Sequence, residues 1–154
     1  MAINGETPEL TYSWPLFESG ARFDLGGLID SIGLPSISSM PVWQSDALAR
    51  QGIGLWECDL RDNSLAWSPV TYDIFGFARG SRLNREACAA CYAEGSRAIM
   101  ERLRGYAIRH RRGFTLDVEL RSGGPLRHMR LIAAPVCNAG RVVRLQGVKR
   151  LLKD

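Results

Sequence analysis

Between Gly52 and Gly76 the chain reads Gly-Ile-Gly-Leu-Trp-Glu-Cys-Asp-Leu, then Arg-Asp-Asn, then Ser-Leu-Ala-Trp-Ser-Pro, then Val-Thr-Tyr-Asp-Ile-Phe-Gly. Two short stretches, each carrying a Trp, flank three residues that tolerate the backbone of a tight turn, so the segment reads as a β-hairpin. In a strand over Leu55–Leu60, the alternation places Trp56, Cys58 and Leu60 on one face and Glu57 and Asp59 on the other. Ser64–Trp67 is the returning strand. Ser68-Pro69 then opens a helix, with Ser as cap and Pro at the first helical position, where its missing N–H costs nothing. Gly76 stops that helix.

Further along, Asn84 is placed to cap a helix over Arg85–Tyr92. A longer helix runs from Ser96 to about Arg111, with Ile99, Leu103, Tyr106 and Ala107 on one side, and Gly113 ends it. Three strands follow at Phe114–Arg121, Leu126–Val136 and Arg141–Val148, separated by Ser-Gly-Gly-Pro and Asn-Ala-Gly turns. Pro135 should mark the end of its strand or an edge, since it cannot donate to a ladder. The order ββ-ααα-βββ predicts an α+β fold: a five-stranded antiparallel sheet with helices on one face.

Three regions divide the chain. Residues 1–22 are polar and punctuated by Pro and Gly, with Tyr12, Trp14 and Phe17 isolated among them, and read as a poorly ordered leader. Residues 23–51 read as a helical and linker segment, and residues 52–150 as the globular domain. With 154 residues, 45% of them hydrophobic, one real core is available. Residues 1–46 hold six acids and one base, a net of −5, so the remainder carries +9 of the total +4. In the linker segment Phe23, Leu25, Leu28, Ile29 and Ile32, with Val42 and Trp43, offer more apolar surface than a solvated leader should. A homodimer built on that surface is the expectation. No run of about 18 apolar residues occurs and the start lacks a basic and apolar signal, so a cytoplasmic location is expected. Cys58, Cys88, Cys91 and Cys137 are too few for a disulfide scaffold and read as reduced, mostly buried thiols.

The ordered set of residues resembles the PAS family over residues 52–148. The resemblance is to the subgroup whose first strand reads Gly-x-Trp-x-x-Asp-Leu, here Gly54, Trp56, Asp59 and Leu60. Further matches are Trp67-Ser68, Tyr72 with Phe75-Gly76, Phe114 with Glu119-Leu120-Arg121 and Gly123-Gly124, and Arg141 with Leu145-Gln146-Gly147. Two departures stand out. Tyr92-Ala93-Glu94-Gly95-Ser96-Arg97 replaces the His-Pro-x-Asp-Arg helix start of relatives, and Val148-Lys149-Arg150-Leu151 replaces the Asp-Ile-Thr that leads to an effector. The resemblance implies a non-catalytic sensory module, stand-alone or excised from a larger bacterial-type sensor, with a signalling partner such as a histidine kinase.

The chemistry on offer is sparse. Cys88 and Cys91 form an i, i+3 pair inside a helix, without further zinc ligands at suitable spacing and without the strand-to-helix position of a redox pair. A redox or metal protein using them is the remote alternative, and no metal is expected. Flavin-binding PAS relatives use a Cys in this helix and a Gln on the last strand, which Gln146 superficially matches; their Asn-Cys-Arg-Phe-Leu-Gln signature is absent. Haem needs an axial His facing the pocket, whereas His110 ends a helix among arginines and His128 heads a strand. No cofactor is therefore predicted. Arg109–Arg112 suits a helix C-terminus, where cations favour the dipole, rather than nucleic acid. No nucleic-acid or membrane partner is expected. Trp56, Cys58, Trp67, Tyr72, Phe75, Ile99, Leu103, Tyr106, Met129 and Leu131 are placed to line a ligand cavity between sheet and helices or to fill a solid core, and composition alone does not decide between the two. In the second case the chain is a ligand-free adaptor or dimerisation module.

Overall fold

The computed structural model describes residues 7–23, 34–121 and 124–153. In chain order the elements are α1 (Pro8–Tyr12), β1 (Ser13–Pro15), a 3-10 turn (Leu16–Glu18), α2 (Ser19–Arg22), α3 (Val42–Arg50), β2 (Ile53–Asp59), β3 (Ser64–Trp67), α4 (Pro69–Phe75), α5 (Arg85–Ala89), α6 (Glu94–His110), β4 (Arg112–Leu120), β5 (Arg127–Asn138) and β6 (Arg141–Leu151). A second short 3-10 turn spans Ile37–Ser39. All strand pairs are antiparallel, in the order β1-β4-β5-β6-β2-β3.

The opening hairpin and helix form as the sequence predicts. Trp56 stands opposite Trp67 across β2 and β3, and Asn63 takes a positive φ of 58° at the turn. Gly76 ends α4 in the left-handed conformation, φ 77°. Ser68 Oγ accepts the Leu55 N–H at 2.8 Å and Thr71 Oγ1 donates to the Leu55 carbonyl at 2.8 Å, so α4 is bolted onto β2 by two buried hydrogen bonds.

The sheet has six strands where five were expected. The additional strand is β1, from the leader read as poorly ordered: Ser13, Trp14 and Pro15 pair with Phe114, Gly113 and Arg112. Trp14 is buried, its indole N–H donates to Thr115 Oγ1 at 3.1 Å, and Glu9 reaches Arg102 at 2.8 Å. An isolated Trp in a polar stretch thus marks a docked strand. Gly113 belongs to this contact rather than to a helix end, for a Cβ there would lie 2.2 Å from the Trp14 ring. The long helix is terminated instead by Arg111 at φ 54°.

Two cores lie on opposite sides of the sheet. The larger packs Trp67, Phe75, Leu103, Leu116, Met129 and Leu131 between the sheet and α4–α6. The second, smaller core packs Trp14, Phe23, Leu34 and Leu48 onto Ile53, Leu55, Ala134 and Val148. Phe23, expected at a self-association face, is therefore buried against its own sheet. Leu25, Leu28, Ile29 and Ile32 lie outside the described residues. Glu57, on the outer face of β2, accepts from the Ile37 N–H at 2.9 Å and from Ser36 Oγ at 3.2 Å, and Gln146 donates to the Leu34 carbonyl. The segment before β2 thus caps the face that the helices leave open.

Smaller differences have local causes. Helix α3 starts at Val42 behind Pro41, not at Ala47, because a proline fits just ahead of a first turn. Ser96 lies inside α6 and its hydroxyl accepts the Glu119 N–H at 3.0 Å, tying the helix to β4 rather than capping it. Pro135 sits within β5, beyond Ala133, the last residue paired with β4, so its missing donor falls on a locally open edge.

Candidate functional site

Strand parity decides what faces the interior. Along β6, Leu145 and Lys149 point to the helical side, whereas Gln146 and Val148 point to the N-terminal cap. Lys149 is one of only two lysines in the chain and is 7% exposed. Its Nζ lies 4.6 Å from the ring centre of Phe75, 5.2 Å from Trp56, 5.7 Å from Trp67 and 5.8 Å from Tyr92. The ammonium is thus surrounded by aromatic faces, whose negative quadrupoles attract it. Lys149 forms no hydrogen bond or ion pair among the described residues.

Beside it is a cavity of about 60 Å³, bounded by Trp56, Cys58 and Trp67 from the hairpin, Cys88 and Tyr92 from the α5 region, and Lys149 from β6. The space admits about four waters by volume. Leu65, Ala89, Met100, Phe114, Leu131 and Leu145 complete an apolar wall. At the rim, Arg85 on α5 forms an ion pair with Glu101 on α6, and Arg104 donates to Asn63 Oδ1 at 3.0 Å. The Trp56 indole N–H is buried without a partner.

Burial sets the electrostatics. Desolvation pulls Lys149 down from 10.5 to about 8, and pushes Cys88 and Cys91 up by the same cause. Tyr92 is likewise raised by burial, and so stays a neutral phenol. The cavity therefore holds a cation or amine poised near neutrality and a neutral thiol at Cys88, and its one carboxylate, Glu101, is already engaged by Arg85. Such an arrangement accepts an electron-rich or anionic guest.

Of the residues expected around a cavity, Trp56, Cys58, Trp67 and Leu131 do line it, and Phe75 caps the ammonium from behind. Leu103 and Met129 are solid core, and Tyr72 and Ile99 only flank that core. Tyr106 lies half-buried with its ring 4.4 Å from His110. The helical phase explains these misses: Met100, Leu103 and Ala107 face inward on α6, one position off from Ile99 and Tyr106. Lys149 escaped the sequence reading altogether. The signal was present, since two registers place it on the same face as Leu145, but a lysine near a chain end reads as solvent-facing. His110 and His128 are both exposed and away from the cavity. Among the described residues no cluster of His, Cys, Asp and Glu is suited to a metal, and no helix is long and apolar enough to cross a membrane.

No family model matches the chain. It is 26% identical over 98 residues to the probable diguanylate cyclase DgcE of Escherichia coli strain K12, covering 63% of this chain and 9% of that protein's length. Among solved structures it resembles a sensory box histidine kinase/response regulator from Burkholderia thailandensis (TM-score 0.59, 18% identity, 69% of this chain and 81% of that one). It also resembles the N-terminal domain of a diguanylate cyclase with PAS/PAC sensor from Marinobacter aquaeolei (TM-score 0.57, 15% identity, 63% and 92%). With the hairpin, the three helices and the returning three strands in this order, the fold of the chain is that of a PAS domain.

Proposed function

We propose that the chain is a non-catalytic sensory module of signal transduction, in which occupancy of the cavity beside Lys149 is the sensed event. The observation that carries this reading is a buried lysine with no acceptor, next to an internal space. A folded core has no structural need for an unneutralised cation, which hydrophobic side chains of the same volume would replace without loss. The fold's neighbours in sensor kinases and cyclase sensors support a role upstream of an output protein. Here the output partner is a second copy, a signalling protein such as a histidine kinase, or both. Val42 and Trp43, 76% and 66% exposed on α3, are the apolar surface available for such a contact. No role on nucleic acid or membrane is assigned, and the setting proposed is the cytoplasm.

Native mass spectrometry of gently purified protein tests the reading. The expected result is a chain, alone or paired, heavier than its sequence mass by a small molecule that is lost on denaturation. A protein carrying nothing, whose melting temperature responds to no small molecule, would favour the second reading: a solid-cored adaptor docking through Val42 and Trp43. Bound metal or mixed disulfides at Cys88 and Cys91 would favour redox or metal chemistry instead.

A further inference from the structure

Lys149 lines the cavity without an acceptor among the described residues, and the centre of the Trp56 ring, whose own N–H is unpartnered, lies 5.2 Å from its Nζ. Lys149 Nζ has four ring faces around it and the thiols of Cys58, Cys88 and Cys91 near it, and the Trp56 indole N–H is without a partner although the residue is more than nine-tenths buried. The remaining polar groups at the rim, Arg85, Glu101 and Arg104, are satisfied by one another or by Asn63. The imbalance is one-sided: donors without acceptors, a positive charge without a counter-charge. Water could accept the hydrogen bonds but brings no charge. The rest of the wall is apolar and includes Leu65, Met100, Leu145 and Leu131, the last directly across the ladder from Lys149.

We infer that the cavity binds a small monocarboxylate with a short apolar tail, its carboxylate accepting from Lys149 Nζ and the Trp56 indole N–H and its tail resting on the leucine wall. This rests on the sensory reading above and names the ligand class of that site. A carboxylate supplies the two acceptor oxygens and the single negative charge that the site lacks. A dianion such as phosphate is a poor match, having more charge and more acceptors than two free donors can satisfy. The volume limits the guest to about four to six non-hydrogen atoms, the range from acetate through propionate to butyrate.

Titration calorimetry of the full chain with sodium acetate, propionate and butyrate, against sodium phosphate and the neutral amides propionamide and butyramide, is the test. The carboxylates are expected to bind at least about tenfold more tightly than their amides. Lys149→Met is expected to weaken carboxylate binding roughly 10- to 100-fold, the range for one charge-assisted hydrogen bond. Trp56→Phe, which keeps the ring but removes the donor, should weaken it several-fold. A readout on the unmutated protein guards against a variant that fails to fold. A carboxylate beside Lys149 holds its proton, so binding near pH 8.5 should take up protons, seen as a heat that depends on the buffer's ionisation enthalpy. Amides binding as well as carboxylates would overturn the ligand class while leaving a ligand-sensing cavity. Carboxylate binding without proton uptake, or undiminished in Lys149→Met, would place the anion elsewhere and overturn the site. Silence from every probe, with no co-purified molecule, would overturn both readings together.

Discussion

Replacing Lys149 with methionine is expected to raise the melting temperature of the ligand-free protein by roughly 4–8 °C at pH 7, the shift that about 2 kcal/mol produces in a chain of this size. Most buried-residue substitutions destabilise, so the direction is diagnostic. The fall of the Lys149 pKa from 10.5 to about 8 corresponds to a penalty of about 3 kcal/mol for holding the charged form inside. Attraction to the rings of Phe75, Trp56, Trp67 and Tyr92 offsets part of it. Methionine fills a similar volume and its sulfur also contacts aromatic rings favourably. The gain should depend on pH. Between about 8 and 10.5 the native state has released the Lys149 proton while the unfolded chain still holds it. Unfolding therefore binds a proton there, and the wild-type protein gains stability as pH rises. The advantage of the variant is then largest below pH 8 and vanishes towards pH 10.5. Cys88 and Tyr92 in the cavity wall, and Cys91 near it, have raised values and act oppositely, since their neutral forms must ionise on unfolding at high pH. Those three groups, Cys58 and the Arg85–Glu101 pair are present in both proteins, but the ammonium draws Cys88 and Cys91 down, so its removal pushes those thiols further up. The gap is therefore read as that of Lys149 at pH 7 and below, where the thiols stay protonated in both proteins. A variant less stable at pH 7, with a gap that pH does not alter, would show that the lysine is a structural element rather than a site.

Local chemistry made part of this molecule legible from its sequence. The hairpin, the Ser68-Pro69 helix start and the Gly76 stop are decided within a few residues, by turn propensity and capping, and they stand where the sequence puts them. Features decided by distant contacts were not legible. Trp14 looked like a stray aromatic because its partners, Gly113 and Thr115, lie about a hundred positions away. Phe23 looked like surface because the sheet face it covers is built later in the chain. At the cavity, the hairpin residues Trp56, Cys58 and Trp67 were found because a strand's period fixes their face. Tyr106 was misplaced because a helix of this length, rich in arginines on several sides, leaves its inward phase ambiguous by one residue. Lys149 was overlooked for a different reason: charge normally implies solvent, and only the register of β6 between β5 and β2 overrides that rule.

Gly147→Ala is expected to abolish folding or to cost more than about 4 kcal/mol, at the far end of single-substitution effects. Gly147 lies in β6, opposite Trp56 on β2 and Ala133 on β5, at the centre of the sheet. A Cβ built there would lie 1.7 Å from the Ile132 carbonyl oxygen and 2.7 Å from its carbon. Both are backbone atoms, so no side-chain rotation relieves the clash; β5 and β6 must separate, and the ladder at the heart of both cores goes with them. Gly113→Ala is the informative contrast. The nearest atoms to a methyl there are those of the Trp14 ring, which belongs to a three-residue strand at the sheet edge. The cheaper escape is for β1 to undock, taking Trp14 with it and leaving the larger core and the Lys149 cavity intact. Limited proteolysis distinguishes the two: Gly113→Ala should be trimmed at the N-terminal arm but leave a resistant fragment covering β2 to β6, whereas Gly147→Ala should be degraded throughout. A Gly147→Ala protein that melts within a few degrees of wild type would mean that β5 and β6 do not approach as closely at Ile132 as the fold requires, and the register that turns Lys149 inward would have to be redrawn.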